Sequence, residues 1–492
     1  MSKRGILSAL TLILPAALMV GCNDKSTSVP PVRSTPGSVA IFGTDTPLCD
    51  VESFVVTITS ASLVPQGGGT PVPLITSTAP TTVDFARLAD FTNILSLANV
   101  TRAGAYTGLQ VTVTSPQLVV LNTSLNPPAP VVVPVTLTAT TFTITINPAL
   151  IISSGATSGL ILDLNLLQSL EVNAKGQVTG TVDPQISLTP TTPSGTTVGE
   201  ATALYGVVQS LSTAVPSDFT GSFGLAVTDG TGQALTVLVN SSTVFEGDSV
   251  TAFSSLKTNT FVEVDATVST SGQIIAQTVD AEEQVSAISQ NSAFLGKVIN
   301  VTRDVSGNAT SFTLLVDDEV PDSSGTVPLH SGLTVKLTAN TNYFTNWQYL
   351  TRQAFTFGPQ TLGLAQKVAV FGVLGSALPL TLTANQVFLR PLNVVGNFTA
   401  LKVAGSDGMT GGFTMTPCGG LFGGNAITVL TSSNSVFTGV SGLTALTAAP
   451  TLDTTGLLIY DQKTGQSQSA TGVIWTGPTW IMQAKGVHQL PN

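Results

Sequence analysis

Residues 54–59 read Phe-Val-Val-Thr-Ile-Thr, and this alternation predicts a β-strand that is buried on one side. Successive side chains of a strand point to opposite faces of its sheet. Phe54, Val56 and Ile58 therefore share one face, and the residues between them share the other. The same alternation recurs at 111–114, so we expect a sheet with one apolar and one hydroxyl-rich side.

The composition extends this prediction to the rest of the chain. Forty-six Gly and 28 Pro are distributed among many Val, Thr, Ile and Phe residues, a pattern typical of strands separated by turns. The predicted fold class is all-β. We expect residues 37–188 to form a β-sandwich, followed by a linker at 189–200.

Three similar units follow the linker. Each opens with a glycine, continues with an apolar strand that contains Phe, and ends with two more strands. Five or so strands in 90 to 100 residues favour a small OB-like barrel, with a small sandwich as the alternative. The openings are Gly206-Val207-Val208, Gly296-Lys297-Val298 and Gly396-Asn397-Phe398, and the expected units are 201–285, 292–390 and 391–492.

Two resemblances emerge from these stretches. Thr44-Asp45-Thr46-Pro47, the strand at 54–58 and Ala103-Gly104-Ala105-Tyr106 resemble a bacterial domain-of-unknown-function family, number four-three-eight-two. The three units that open with glycine resemble a second such family, number five-six-six-six. Together the resemblances imply a β-sandwich and small barrels on an envelope lipoprotein, and they imply no site residues.

The N-terminal sequence predicts the cellular location of the protein. A basic start at Lys3 and Arg4 is followed by an apolar run at 6–20 and by Gly21. The end of this run resembles the lipobox of bacterial lipoproteins, in which Cys22 becomes a lipid-modified N-terminus. We expect a signal peptide at 1–21, a flexible tether at 22–36, and attachment to the inner or outer membrane, facing the periplasm or the exterior. An ordinary secretory signal or an uncut membrane anchor is the alternative.

The charge argues against one class of partner. Charged residues are 9% of the chain, with 17 basic against 27 acidic residues and a net charge of −10. Nucleic-acid binding requires clustered cations that release counterions, and the basic residues here are scattered singly. We expect no nucleic-acid partner, and a glycan or an envelope protein instead.

Catalytic motifs are missing from the sequence. His330 and His488 are the only histidines, and no hydrolase, metalloprotease or phosphate-binding motif is present. We expect both histidines at the surface or at strand ends. The prediction is a protein without cofactors and without enzymatic activity.

Two groups of carboxylates are candidate metal-binding or catalytic sites. Asp317, Asp318, Glu319 and Asp322 are candidate calcium ligands, but they lack the spacing of a helix-loop-helix site. We expect instead a solvated hairpin that turns at Ser324-Gly325. A second acidic group could serve an enzyme that acts on glycans through a pair of carboxylates. Its members are Asp45, Asp50 and Glu52.

Aromatic residues offer a second kind of site. Trp475 and Trp480 flank Gly477-Pro478 and are candidate stacking platforms for a sugar. Side chains of this kind more often close a core or a barrel end.

The remaining cysteines allow a disulfide. Once Cys22 carries lipid, Cys49 and Cys418 remain, an even number in a compartment that permits oxidation. A bridge between them would bring the two ends of the domain array together. The alternative is two separate buried thiols.

These observations lead to a functional hypothesis. We expect a lipid-anchored envelope protein that acts in binding, adhesion or surface assembly. An envelope enzyme acting on glycans and a structural spacer in a surface complex are the alternatives.

Overall fold

The computed structural model describes most of the chain as strands, with 64% strand and 4% helix. The all-β prediction is confirmed. The described residues are 36–46, 48–89, 93–100, 102–173, 177–228, 233–246, 250–284, 292–320, 327–345, 357–446, 450–461, 468–470, 473–475 and 479–490. The predicted signal peptide, Cys22 and nearly all of the predicted tether lie outside these ranges.

The N-terminal domain is a sandwich, and its sheets follow from the alternation quoted above. Its strands are β1 (Gly37–Thr46), β2 (Val51–Pro65), β3 (Val72–Ile75), β4 (Thr81–Asp84), β5 (Asn93–Val100), β6 (Gly104–Asn122), β7 (Ala129–Val133), β8 (Thr136–Leu137), β9 (Thr141–Ile152), β10 (Thr157–Asn165), β11 (Leu170–Val172), β12 (Val178–Val182) and β13 (Ile186–Pro190). A 3₁₀ helix spans Phe85–Ala89, and a short helix, α1, spans Leu166–Ser169.

Two main sheets enclose the core of the sandwich. One has the order β13-β10-β1-β5, and the other has β3-β2-β6-β7 with β4 added to β2 and β9 added to β6. A small third sheet has the order β11-β12-β8. Phe54, Val56 and Ile58 are buried in the core between the sheets, as the alternation predicts.

Three barrels follow the sandwich. The first contains β14 (Thr197–Ser212), β15 (Gly221–Val227), β16 (Ala234–Val239), β17 (Val244–Glu246), β18 (Thr260–Ser269) and β19 (Ile274–Gln284). The second contains β20 (Ser292–Arg303), β21 (Ala309–Val320), β22 (Gly332–Lys336), β23 (Asn342–Thr345), β24 (Lys367–Leu374) and β25 (Thr381–Arg390). The third contains β26 (Leu392–Ala404), β27 (Gly411–Pro417), β28 (Ile427–Thr431), β29 (Val436–Thr438), β30 (Thr451–Asp461) and β33 (Thr479–Gln489), while β31 (Gln468–Ala470) and β32 (Val473–Trp475) form a separate two-stranded sheet.

The same closure makes each unit a barrel. In the first, the strand order is β16-β15-β14-β18-β19, and β16 also pairs with β19 in parallel. This pairing closes the sheet on itself and removes its edges. The second barrel closes through β22 and β25, and the third through β28 and β33. The closure decides for the OB-like barrel over the small sandwich.

Each barrel opens with a glycine because its first strand is pressed against the second. A Cβ atom at this position would collide with a carbonyl oxygen of the neighbouring strand, so only glycine fits. A β-bulge follows between the second and fourth residues after the glycine in every unit. The pairs are Gly206 against Ala226, Gly296 against Leu315, and Gly396 against Thr416.

The segment predicted as a linker differs from the prediction. β13 extends to Pro190 and β14 begins at Thr197, so only residues 191–196 of the predicted linker lie between the two strands. Gly199 lies against the ring of Phe42, and one hydrophobic cluster contains residues of both the sandwich and the first barrel. Because this cluster is continuous, the sandwich packs directly onto the barrel without a free spacer.

Candidate functional site

A cavity lies where the sandwich, the second barrel and the third barrel meet. Its volume is about 140 Å³. The sandwich contributes the segment 48–52 and the 3₁₀ helix, the second barrel contributes β20, β21 and β24, and the third contributes the start of β26 and the segment 418–422. We call this cavity the junction cleft.

Arg87 attaches the sandwich to the second barrel at the edge of the cleft. Its guanidinium donates to both carboxylate oxygens of Asp318, at 2.9 and 2.6 Å, and to the backbone oxygen of Asp317. The side chain of Asp318 is 0% exposed. A bidentate pair of this kind combines opposite charges with a fixed mutual orientation. Because both side chains are almost fully buried, water cannot take the place of either partner.

His330 forms a second link across the same interface. Its Nε2 lies 3.1 Å from Asp84 Oδ2, and the carboxylate also accepts from Ser53 Oγ and the Phe54 amide. Burial acts to lower the pKa of His330, but the hydrogen bond and charge of Asp84 outweigh it and raise this pKa. Burial acts to raise the pKa of Asp84, but the hydrogen bond and charge of His330, with Arg87, lower it. The pair therefore favours its charged form.

Two lysines of the second barrel line the cleft. Lys297 Nζ lies 2.7 Å from Glu52 Oε2 of the sandwich, with its side chain 31% exposed. Lys367 is buried, and its Nζ lies 5.5 Å from the ring centre of Tyr205 in the first barrel. Burial raises the pKa of Asp317, which also lines the cleft, although Lys367 and Arg87 oppose this shift.

A disulfide closes the side of the cleft between the sandwich and the third barrel. Cys49 and Cys418 are bonded through Sγ, with their Cα atoms 5.6 Å apart. The structure thus favours the paired alternative over two free thiols. Beside the bridge, the Gly420 amide donates to the carboxylate of Asp50. Burial raises the pKa of Asp50, and the bond from Gly420 offsets part of this shift.

The walls of the cleft combine balanced charge with apolar surface. Three cations, Arg87, Lys297 and Lys367, face three carboxylates, Asp50, Glu52 and Asp317. The apolar part of the lining includes Leu48, Val51, Leu392, Val394, Leu421 and Phe422. Such a site offers polar groups for orientation and apolar surface for affinity, without a net charge.

The acidic run at 317–319 is not solvated, and that part of the prediction is wrong, although β21 does pair with β22 as the two arms of an antiparallel hairpin. β21 continues through these residues to Val320, and the sandwich covers it. Asp318 and Glu319 are buried, because Arg87 supplies the charge that permits burial of Asp318. Asp322 and Ser324-Gly325 lie outside the described residues. Among the residues described, no group of three or more His, Cys, Asp or Glu could hold a metal ion.

Trp480 lies in an interface, not on an open face. Its indole Nε1 donates to Leu364 O of the second barrel, and its ring contacts Phe422 and Tyr460 at 5.8 and 5.2 Å. The role of a sugar-stacking platform does not fit this placement, since the side chain is partly buried and its ring packs against Phe422 and Tyr460. Trp475 is in β32, and its side chain lies outside what the structure describes.

The two histidines differ in burial, and the three N-terminal carboxylates lie in two different places. His330 lies in the turn just before β22, which agrees with the strand-end alternative, but its side chain is only 8% exposed, whereas His488 is exposed on β33. Asp45 accepts from the Leu166 amide within the sandwich. Asp50 and Glu52 line the junction cleft, so the structure separates Asp45 from the other two members of this group.

Four residues at or beside the cleft were not predicted from the sequence: Arg87, Lys297, Lys367 and Asp84. A signal did exist, because only 17 basic residues occur in 492 positions and each one is therefore informative.

No helix within the described ranges is both long and apolar enough to cross a membrane.

The comparisons with known proteins address the two resemblances. Residues 36–179 match the family model of a domain of unknown function, DUF4382. Residues 205–280 match a second domain of unknown function, DUF5666. Both resemblances are confirmed in the expected order, the second of them for the first of the three units. The DUF4382 domain supplies the sandwich wall of the cleft, and the DUF5666 match covers the first barrel.

Wider comparisons add little. No curated protein matches the chain. A solved structure described as drosophila Unr CSD456 aligns with 59% of this chain and 98% of its own, at 9% identity and a TM-score of 0.15. A similarity at this level carries no argument about fold or function.

Proposed function

We propose that this protein is a lipid-anchored cell-envelope protein that acts by binding, without catalysis, and that the junction cleft is its binding site. The observation that carries the proposal is the cleft itself, a concave site that three domains build together. Binding sites are found preferentially at domain interfaces and combine apolar walls with a few placed polar groups. The junction cleft has both properties.

The charge balance indicates the class of ligand. Since three cations and three carboxylates line the cleft, a ligand with a net charge would gain no excess attraction. A small net-neutral molecule with separated polar ends, such as a zwitterion, can meet both signs. The apolar lining favours a hydrocarbon portion in the same molecule.

The size of the cleft limits the ligand. A cavity of about 140 Å³ is comparable to one of roughly 150 Å³ that accommodates benzene. A molecule of the size of an amino acid or a single small ring fits this limit. A long oligosaccharide would reach the cleft with one end only.

A matched series of probes tests this class. Isothermal titration calorimetry would compare leucine, a zwitterion, with N-acetyl-leucine, an anion, and leucine methyl ester, a cation. We expect leucine to bind at least about tenfold more tightly than either derivative, which corresponds to about 1.4 kcal/mol. Equal affinity for all three, or preference for a charged derivative, would contradict the proposed ligand class.

The proposed anchor rests on the sequence before Asn23. A basic start, an apolar run and Gly21-Cys22 support lipid attachment at Cys22. Two or three acyl chains would exceed the single-chain threshold for stable anchoring. Metabolic labelling with a palmitate analogue tests this, with incorporation expected in the wild type and lost in Cys22→Ser. Labelling that persists in this variant would refute the anchor site.

An enzyme acting on glycans is the second candidate. Burial raises the pKa of Asp50 and of Asp317, both of which line the cleft, and raised carboxyl pKa values suit general acids. Turnover of a chromogenic glycoside that is lost in both Asp50→Asn and Asp317→Asn would favour this candidate. Absence of turnover together with leucine binding would favour the binding protein.

A further inference from the structure

We propose that the Cys49–Cys418 disulfide is a redox clasp of the junction cleft. Its reduction by a dithiol separates the wall segment 418–422 of the third barrel from the segment 48–52 of the sandwich and opens the cleft. The consequence for ligand affinity rests on the proposed function, whereas the opening of the wall rests on geometry alone.

The position of the disulfide makes it part of the cleft wall. Both Cys49 and Cys418 line the cavity, and both residues are half-buried, so that a reductant can approach them. The bridge joins positions 369 residues apart in the sequence. It is thus a covalent link between the first and the last domain, placed at the opening of a candidate ligand site.

Two other links are described at this wall: one exposed hydrogen bond, and apolar packing in which Leu121 of the sandwich shares a buried cluster with Leu421 and Phe422. The Gly420 amide donates to the carboxylate of Asp50 in an exposed hydrogen bond, at 3.0 and 3.2 Å to the two oxygens. Gly420 also lies against Thr123 of the sandwich. A single exposed hydrogen bond contributes little once the covalent constraint is gone, because water can replace it.

The two walls remain attached to the second barrel by other contacts. On the sandwich side, Arg87 binds Asp318 and His330 binds Asp84. On the side of the third barrel, Gln366 Nε2 donates to Leu458 O at 3.0 Å.

Further contacts on that side are the indole bond from Trp480 to Leu364 O and the guanidinium of Arg303, 5.5 Å from the ring centre of Tyr460. None of these contacts involves a cysteine. Reduction therefore removes the covalent link between the two walls, so that only the packing of Leu121 and one hydrogen bond join them directly, and it leaves the second barrel as the common support.

The chemical step needs a dithiol reductant, either a small dithiol or a protein with two adjacent thiols. One thiolate attacks Sγ of one cysteine and forms a mixed disulfide, which releases the other cysteine as a thiolate. The second thiol of the reductant resolves this intermediate. Two electrons and two protons pass to the protein, which ends with two thiols, while the reductant ends as a disulfide.

Hydrogen exchange measured by mass spectrometry tests the opening without any ligand. The mature full-length chain would be compared in detergent before and after treatment with dithiothreitol, with free thiols alkylated to verify reduction. We expect exchange in peptides covering 48–52 and 418–422 to rise at least about tenfold. Peptides that contain the Phe54 amide, which Asp84 binds, are expected to remain unchanged.

Four outcomes are distinguishable. Unchanged exchange in both wall segments after complete reduction would overturn the clasp, and so would a uniform rise across the chain, which indicates general destabilisation. Leucine binding to the oxidised protein that weakens on reduction, together with the local rise, supports both proposals. A local rise without any leucine binding supports the clasp and contradicts the proposed ligand.

A double variant provides an independent check. Cys49→Ser with Cys418→Ser removes the bridge without a reductant, and its exchange pattern is expected to match that of the reduced wild type. If the variant fails to fold, the native reduction experiment still decides. Asp50→Ala in the oxidised protein removes only the hydrogen bond from Gly420 and is expected to change exchange much less than reduction does.

Discussion

Two junctions of this molecule solve the same problem of joining domains in different ways. Between the first and second barrels, aromatic side chains and a buried arginine fill the interface. Between the sandwich and the other two barrels, paired charges surround a cavity that a disulfide closes. The difference indicates which junction holds the protein together and which one is available for binding.

The filled junction is formed by Tyr205, Phe261, Phe371, Phe388 and Arg390. Across the junction, the ring centres of Phe261 and Phe371 lie 6.5 Å apart, and the guanidinium of Arg390 lies 5.5 Å from the ring centre of Tyr205. Arg390 also binds Glu263 at 2.7 Å and Asp280 at 3.4 Å. Burial raises the pKa of Glu263, although Arg390 opposes this shift.

Charged residues at the two junctions differ in whether a ligand can reach them. At the filled junction the charges are enclosed by protein, so the interface has no access for a ligand. At the cleft the same kinds of charge line a cavity, and Lys367 connects the two places because its Nζ lies near Tyr205. Rigid support on one side of Lys367 helps to fix its position in the cleft.

The largest effect should come from breaking the filled junction. Arg390→Met leaves two buried carboxylates, Glu263 and Asp280, without this partner, and such a change typically costs about 3–5 kcal/mol. We expect a loss near the upper end in urea unfolding. Lys336→Met, at an exposed position of β22, is the matched control. A loss below about 1 kcal/mol would show that the junction is not held in this way.

Breaking the charge pair at the cleft should have a smaller effect. Arg87→Met leaves Asp318 buried and uncompensated, and we expect a loss near about 3 kcal/mol. Adding Asp318→Asn removes the buried carboxylate charge that Arg87 no longer compensates, and it should recover part of this loss. A double-mutant cycle would measure the recovery. No recovery would mean that Arg87 contributes by packing instead.

The pH dependence near neutrality sharpens the comparison, because His330 lies on the cleft side. Asp84 raises the pKa of His330 in the folded state, and Asp317 acts in the same direction while Arg87 opposes it. Protonated His330 therefore contributes stability that is complete below about pH 6.5 and is lost as the pH rises through the folded pKa.

Urea unfolding between pH 6 and 9 would measure this contribution. We expect the wild type to lose stability in this interval relative to His330→Gln, by about 1–2 kcal/mol. Identical slopes for the two proteins would contradict the assignment.

The smallest effect is expected at the exposed pair. Lys297→Met removes the contact with Glu52, but the lysine side chain is 31% exposed and water can replace much of the interaction. We expect a stability change below about 1 kcal/mol in urea unfolding. A loss as large as that of Arg87→Met would show that exposure does not separate the two pairs.

Much of the fold follows from local sequence patterns. The alternation at 54–59 predicts which side of β2 is buried, and the glycines that open the barrels reflect a steric contact with the adjacent strand. Both signals act over a few residues. They can therefore be interpreted without knowledge of the distant parts of the chain.

The cleft depends on contacts that no local pattern reveals. Arg87 and Asp318 are 231 residues apart, and the acidic run at 317–319 has the composition of an exposed turn. Its burial follows only when the sandwich brings Arg87 onto β21. The even number of cysteines raised the possibility of the disulfide, yet only the packing of the domains shows that Cys49 and Cys418 meet at a cavity.

The most direct test of the account is leucine binding to a variant with a filled cleft. Ala86 lines the cavity, so Ala86→Leu should occupy it, whereas Ala214→Leu adds the same atoms at an exposed position of the first barrel. In calorimetric titrations we predict binding to the wild type and to Ala214→Leu, and a loss of at least about tenfold in affinity for Ala86→Leu, or about 1.4 kcal/mol. Equal affinity in all three proteins, or no binding to the wild type, would contradict the junction cleft as the site.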